Sequence, residues 1–431
     1  MGRRRIHRPL NVFQNNRHVG RLEMLPNGAT SFEYDRAWLD RENAFPISLS
    51  LPLQHRKFTG RTVRAVFENL LPDNERILTR IAERVGAGGL DPYHLLSRIG
   101  RDCVGALQFL PDGEDPGPLR PPQGEAVSEE DVARMIRDLA LRPLGMGPDE
   151  QFRISVAGAQ EKTSLLKMDG KWYRPLGASP TTHILKPPIG RWDNGIDLSH
   201  SVENEHFCLT VLGKLGLPVA KTEIQFFEDQ KVLSVERFDR KYRGDGTLMR
   251  LPQEDCCQAL ETPPTNKYQV DGGPGVPEIM ELLKGGDEPE GDRAAFFRAI
   301  LLFWLMGATD GHAKNFSIFL MPGGRYHLTP LYDVISVQPT FDRGEIERRH
   351  FRMAMRYGEN NHYRMDEIVG RHLIQTGESA GLGRLAASIL EEVKDRFAGA
   401  VDAAMNEMPK GFPEEIHRSI RRGALVRLQT A

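Results

Sequence analysis

The chain has 431 residues, 39% of them hydrophobic and 27% charged, a composition of globular proteins that excludes disorder as a global description. A chain this long predicts two or three compact units in place of one continuous core. Lys and Arg total 57 and Asp and Glu 59, a net charge of -2, which excludes a chain-wide polycation built to coat nucleic acid but leaves room for a local basic face.

Residues 10 to 34 predict a small sheet. Val12 and Phe13 lie in one strand, Asn15-Asn16 form a turn, Val19 and Leu22 follow in the next strand, and Pro26-Asn27-Gly28 turn again. From Val63 to Val85 the pattern is helical, broken around Pro72-Asp73, with Ile77, Ile81 and Val85 on one face for packing against that sheet. Eight of the fourteen residues from Pro111 to Gly124 are proline or glycine, which suits neither a helix nor an interior strand and predicts a domain boundary. Ser128 with Asp131 reads as the N-terminal cap of a helix that turns Val132, Ile136 and Leu139 inward.

A hairpin is expected next, Phe152 to Val156 against Thr163 to Met168, then an Asp169-Gly170 turn and a third strand from Lys171 to Arg174. Thr182 to Lys186 is a further strand ended by Pro187-Pro188, and Ser201 is expected to cap a helix from Val202 to Leu215 that stops at Gly216. Two strands follow, around Glu223 to Phe227 and Val232 to Phe238. Beyond about Leu251 the chain is mainly helical, including Asp292 to Met306, apart from a hairpin of Ser317 to Leu320 and Tyr326 to Leu328 about the turn Pro322-Gly323-Gly324.

The four cysteines, Cys103, Cys208, Cys256 and Cys257, have neither C-x-x-C spacing nor a nearby histidine pair, so no zinc knuckle or disulfide framework is indicated. A reducing cytosol fits best. Cys256-Cys257 reads as core filling. The longest apolar run, Ala299 to Ala308, is far short of the roughly 20 residues that span a bilayer and predicts a buried helix. The basic start MGRRRIHRPL lacks the apolar stretch and cleavage site of a signal peptide, so a cytoplasmic protein without a membrane partner is expected.

The order of the parts is that of a two-lobed protein kinase. A turn SVAGAQEK is followed by a strand ending in Lys186, a helix bearing Glu203 and Glu205, two strands, and a helical half holding Gly307 to Asn315 and then Tyr332-Asp333-Val334. A lysine fixed on a strand and held by a helix carboxylate suits the phosphates of ATP, which puts Lys186 with Glu203 or Glu205 in that role; spacing does not choose between the two glutamates. Either glutamate could instead be an exposed first-turn acid favoured by the helix dipole. Asp310 and Asn315 are five apart, the spacing of the kinase H-R-D-x-x-x-x-N loop, where the aspartate orients a hydroxyl and the amide oxygen holds a metal ion. Asp333 follows eighteen residues after Asn315, where the metal-binding aspartate of D-F-G would sit, and its hard carboxylate oxygens suit Mg2+.

Each of these has a plainer reading. Lys162-Thr163 ends a Walker-like stretch, but Val156 and Glu161 stand where the required glycines should be, which disfavours a P-loop NTPase and leaves a hairpin turn with a charged tip as the alternative. Asp310 could lie in a solvated loop, although Gly307 and Gly311 behind the most apolar helix favour a site. His312 is equally readable as a packed structural histidine or as a neighbour of a ligand. Ser155 beside a turn usually hydrogen-bonds locally. The basic stretches Arg3-Arg4-Arg5 and His417 to Arg427, with Arg418, Arg421 and Arg422, read as solvated ends or as a DNA-facing fringe.

The words ISVAGAQEKTSLL, PTTHILK, DLSHSVENEHFCL, SVERFDR, RLPQEDCCQ, DGGPG, GATDGHAKNFS and LTPLYDVIS, with FENLLPDNERI and GRDCVGALQFLP before them, run from about residue 65 to 335. Through them the chain resembles the HipA family, bacterial serine/threonine-protein kinases that act as toxins of type II toxin-antitoxin modules. The resemblance implies an α+β, bilobal protein-kinase-like fold with a sheet-rich N-lobe and a helical C-lobe, preceded by a small α/β N-terminal subdomain. The expected division is 1–120 for the N-terminal subdomain, 121–250 for the N-lobe and 251–431 for the C-lobe.

By the same resemblance Asp310 is the catalytic aspartate, Asn315 and Asp333 bind Mg2+, and Lys186 contacts ATP phosphate. Ala157, Gly158, Ala159, Gln160, Glu161 and Lys162 form the phosphate loop, and Glu236, Arg237 and Phe238 the hinge that receives adenine, with His312, Lys314 and Tyr332 around the nucleotide. Ser155 matches a serine whose autophosphorylation ejects the loop; the added charge of about -1.5 to -2 beside a phosphate site supplies the repulsion. The implied target is glutamyl-tRNA synthetase, whose phosphorylation halts translation and promotes persistence. The implied partner is a HipB-like helix-turn-helix antitoxin, through which operator DNA is reached. Two other functions fit less of the sequence. One is a lipid or small-molecule kinase, from the D-x-H-x-x-N character of Asp310 to Asn315; the other is a non-catalytic nucleotide-binding co-repressor, against which the complete set Lys186, Asp310, Asn315 and Asp333 argues.

Overall fold

A computed structural model describes residues 7–145, 154–158, 160–192 and 194–431, Ala140 by its backbone alone. The chain forms two compact units. The first comprises residues up to Pro187, Gln225–Thr265 and Ile318–Tyr326; the second comprises Pro188–Ile224, Asn266–Ser317 and His327–Ala431.

In the first unit a five-stranded sheet has the order Lys57–Thr59, Thr30–Tyr34, Arg17–Met24, Leu10–Gln14, Leu107–Pro111. Asn15 and Asn16 both take positive φ (47° and 61°) and close the first hairpin, since asparagine tolerates the left-handed region that a two-residue turn demands. The helices Arg61–Glu68 and Glu75–Val85 flank the expected break at Pro72-Asp73, and Ile77 and Ile81 are buried. Ser128 and Asp131 form a reciprocal capping box at the helix Glu129–Arg137, with Val132, Ile136 and Leu139 buried as expected. A second sheet carries Gln230–Glu236, His183–Lys186, Thr163–Met168, Lys171–Pro175 and Gly124–Ala126 in that order, with residues 225–227 at its first edge. One hydrophobic core runs from Leu10 and Phe32 of the five-stranded sheet, through Val132 and Ile136, to Leu165, Leu185 and Val232 of the six-stranded one.

Of the hairpin strand expected from Phe152 to Val156, the described residues Ile154 to Val156 do not belong to a strand paired with Thr163–Met168. Phe152 lies outside the described residues, and Ile154 bridges in parallel with Asp102 while Thr163–Met168 pairs with Lys171–Pro175 and His183–Lys186. The cause is hydrogen bonding to the N-terminal part of the chain: the Ser155 amide donates to the Asp102 carbonyl (3.0 Å) and the Ser155 hydroxyl to the Leu70 carbonyl (2.7 Å).

Glu254 is buried in this unit and accepts from the Leu49 amide at 2.8 Å. Burial pushes its carboxyl up to about 8. The folded protein therefore keeps a proton that the unfolded chain releases above about 4.5, so this stabilisation is complete at acid pH and is lost as pH rises towards 8. Unfolding free energy measured in urea between pH 5 and 8 is expected to fall by up to about 1.4 kcal/mol per pH unit from this group. Glu254→Gln flattens that part of the profile.

The second unit is built on the helix Pro289–Met306, whose residues Ala299 to Met306 are all buried as their composition predicts, packed with the helix Arg384–Met405, in which Ile389, Val393 and Phe397 are buried. Ser201 is the first residue of the helix Ser201–Lys214 and not its cap; its hydroxyl accepts from the Ile189 amide. Of the basic C-terminal stretch Arg418 and Arg422 are exposed. Arg427 is buried and donates to the Leu305 carbonyl and Gln338, Arg421 pairs with Asp402 and Arg422 with Asp342, so these side chains serve the fold. Arg3, Arg4 and Arg5 lie outside the described residues. All four cysteines are buried free thiols, and among the described residues no helix is long and apolar enough to cross a membrane.

Candidate active site

The first unit holds the stretch expected to serve as the phosphate loop. Its stem, Ile154-Ser155, is fastened to Asp102 and Leu70, and its tip is fastened to the helical region after Phe67: the Asp73 amide donates to the Gly158 carbonyl (3.3 Å) and Arg80 pairs with Glu161. Gly158 has φ 108°, and a Cβ there would meet Lys162 Nζ at 2.6 Å, so only glycine lets the lysine fold back. Lys162 Nζ donates to the Ala157 carbonyl at 2.7 Å, and Gln160 Nε2 to the Pro187 carbonyl at 2.8 Å. Ala159 lies outside the described residues. Lys186 is buried at the end of the strand His183–Lys186, paired in register with Leu233.

At the hinge, Glu236 is exposed and the Phe238 ring meets Phe319 edge-on. The Arg237 side chain is committed to the fold. It is 2% exposed, and its guanidinium donates to Asp239 (2.8 Å), Asp102 (3.3 Å), the Thr181 hydroxyl and the Cys103 carbonyl. Any adenine contact at the hinge therefore falls to groups other than this guanidinium. Arg240 and Arg250 also bond Asp102, at 2.9 and 2.8 Å, and Arg240 reaches Asp239 at 2.9 Å. Burial alone would push the Asp102 carboxyl up; the guanidiniums of Arg240, Arg250 and Arg237 overcome it and hold the carboxyl well below the usual range. This network joins the loop stem, the hinge and the strand entry at Thr181.

The second unit holds the catalytic-loop candidates. Gly307 ends the helix Pro289–Met306 in the left-handed conformation, and a Cβ on Gly311 would lie 2.6 Å from the Phe303 ring, so the loop packs tightly on the helix that precedes it. Asn315 Nδ2 donates to the Asp310 carbonyl at 2.9 Å, which brings the two predicted residues together across one turn. Because a carbonyl only accepts, that bond fixes the amide flip and turns Oδ1 away from it. The His312 amide donates to the Asp310 carbonyl and the Asn315 amide to the His312 carbonyl, giving a compact turn. The His312 ring is buried and faces Tyr268, as in the packed reading; the Asp310 side chain is 61% exposed.

Asp333 is tied to the same turn through its neighbour. The Tyr332 hydroxyl donates to the Lys314 carbonyl (3.1 Å) and shares a 2.6 Å bond with the Ser317 hydroxyl. Asp333 itself has φ 59°, a conformation that costs a non-glycine residue on the order of 1 kcal/mol and recurs at functional sites. Beyond it, Ser336 and Asn204 exchange two bonds (2.8 and 2.9 Å), pinning the segment to the helix Ser201–Lys214. Sequence reasoning passed over Asn204, whose signal was its place between Glu203 and Glu205. Both glutamates are buried, Glu205 at 2% exposure and Glu203 at 7%, which overturns the reading of an exposed first-turn acid. The donor set fits Mg2+: Asn315 Oδ1 and the Asp333 carboxylate are hard oxygens, and few protein ligands are needed where phosphate and water complete the octahedron. Among the described residues no three His, Cys, Asp or Glu side chains form a metal cluster of their own.

Known families match the chain at both ends of this arrangement. The HipA N-terminal domain matches residues 10–110, and the HipA-like C-terminal domain matches residues 154–401. The chain belongs to the HipA family. A relative from Sinorhizobium fredii, Y4mE, named as an inferred kinase, is 38% identical over 82% of this chain and 81% of its own. The serine/threonine-protein kinase toxin HipA of Shewanella oneidensis is 29% identical over 87% of this chain and 84% of its own. The solved structure of HipA from Shewanella oneidensis, in a complex with HipB and its operator DNA, has a TM-score of 0.81 at 26% identity, covering 97% of this chain and 96% of that one. The chain is thus a HipA-like serine/threonine-protein kinase of the toxin type, with the α+β, kinase-like HipA fold.

Proposed function

We propose that this HipA-family chain is an ATP- and Mg2+-dependent kinase acting as the toxin of a toxin-antitoxin module in the cytoplasm. The observation that carries the reading is the joint at Asn315: its amide holds the Asp310 backbone while Tyr332 ties the Asp333 segment to the same turn. When bound, ATP supplies the phosphoryl group and Mg2+ offsets its charge. Asp310 accepts the proton of the acceptor hydroxyl, and Asn315 Oδ1 with the Asp333 carboxylate would hold the ion. Lys186 and the loop 157–162 would hold the phosphates, with residues 236–238 beside adenine and His312, Lys314 and Tyr332 shaping the nucleotide site. In functional terms 1–120 is an accessory domain, 121–250 the nucleotide lobe and 251–431 the catalytic lobe.

The reading extends to regulation and partners. Ser155 is fully buried with its hydroxyl committed to the Leu70 carbonyl, so autophosphorylation there requires the loop to leave its seat. A phosphate added in that state, with about two negative charges, prevents its return. A HipB-like helix-turn-helix antitoxin is the proposed partner, and with a net charge of -2 this chain reaches operator DNA mainly through it. The test is phosphoproteomics after a short induction of wild type and Asp333→Ala. A phosphosite on glutamyl-tRNA synthetase in wild type alone is the expected result; identical phosphoproteomes would sink the proposal.

A further inference from the structure

The stretch Lys267 to Gly275 (KYQVDGGPG) has no part in the chemistry so far, although DGGPG belongs to the words that carry the family resemblance. It is a tightly built platform. The Tyr268 carbonyl accepts from the amides of Asp271 (3.0 Å) and Gly273 (2.9 Å), and Asn266 Nδ2 donates to the Asp271 carbonyl at 2.7 Å. A Cβ on Gly273 would lie 2.1 Å from the Asn266 carbonyl oxygen, so the turn closes only with glycine there, and one on Gly275 would lie 2.0 Å from the Gln269 side-chain amide and displace it. The strand Arg352–Tyr357 anchors this platform and the catalytic loop together. Its Arg356 amide donates to Gln269 Oε1 (2.8 Å), and its Ala354 amide to the Thr309 carbonyl (2.9 Å).

What the platform presents is the Tyr268 hydroxyl, which donates to Asp310 Oδ1 at 2.6 Å, while the ring sits edge-on against the buried His312, with centroids 5.0 Å apart. We infer that Tyr268 is a positioning residue for Asp310. An aspartate 61% exposed on a turn has rotamer freedom, and a charge-assisted O–H···O bond to a stiff aromatic side chain removes it. With Oδ1 held, Oδ2, 3.9 Å from His312 Nε2, is the oxygen turned to the acceptor hydroxyl. The inference rests on the reading of Asp310 as the catalytic aspartate.

Tyr268→Phe keeps the ring and deletes only the hydroxyl. Using the full chain, labelled ATP and total protein-bound label in a bacterial extract, the initial rate at saturating ATP is expected to fall about ten- to hundredfold. The KM for ATP and the thermal midpoint stay at wild-type values, whereas a purely structural role would move the midpoint. In a crystal structure of the variant the Asp310 carboxylate is expected to leave its position. An unchanged rate, or an Asp310 carboxylate that has not moved, overturns the inference. An Asp310→Asn chain with full activity overturns instead the reading beneath it, and a wild type that labels nothing leaves the crystal structure to decide the role of Tyr268.

Discussion

Asp310→Asn is expected to lower the turnover of phosphoryl transfer by about 10²- to 10⁴-fold, the range that a positioned general base contributes. The substitution is nearly isosteric, the side chain is 61% exposed, and the backbone carbonyl that accepts from Asn315 Nδ2 is untouched. The loss therefore falls on the chemical step: KM for ATP and the unfolding midpoint stay within error of wild type. Steady-state transfer with labelled ATP, beside a thermal melt of the same preparation, measures both. Asn315→Ala is the instructive contrast, because it removes the oxygen proposed to hold the ion and also the bond that holds the Asp310 turn.

Asp102→Asn is expected to destabilise the first unit by about 3–5 kcal/mol, the cost of breaking a buried ion network from one side. Asp102 is 3% exposed and serves Arg237, Arg240 and Arg250 at once, so its loss leaves Arg237 and Arg240 sharing the single carboxylate of Asp239 and takes from Arg250 its bond to a carboxylate. Urea unfolding measures the change as a lower midpoint at constant slope. The effect reaches the candidate site because the Ser155 amide hangs on the Asp102 carbonyl. Hydrogen exchange at Ser155 is expected to rise in this variant more than exchange in the strand Thr163–Met168. An intact midpoint would mean that the network is not what secures the loop stem.

Much of the candidate site is legible along the chain because its signals are local. Gly307, Asp310 and Asn315 sit in one turn, and their spacing is enough to bring the Asn315 amide to the Asp310 carbonyl. The buried helix through Ala299 and Met306 follows from composition alone. The segment at Ile154 misleads for the opposite reason. Its period suits a strand, but its amide and hydroxyl groups are satisfied by Asp102 and Leu70, more than fifty residues away. Arg237 misleads in the same way, since its place at the hinge suggests a nucleotide contact while its guanidinium answers to Asp102.

By itself the sequence determined the kinase-like order of parts, the family, and the residues able to accept a proton or hold a hard cation, because each of these is written in residue type and short spacing. Tertiary structure decided which charges are structural and which remain for chemistry. Arg427 reads as surface and is buried against Leu305, while Asp102 and Tyr268 read as unremarkable and hold, respectively, three arginines and Asp310. The physical reason is that a charged or hydroxyl side chain takes its role from the partner it meets on desolvation. Here that partner is 42 residues distant for Tyr268 and 135 for Arg237, beyond the reach of any local pattern.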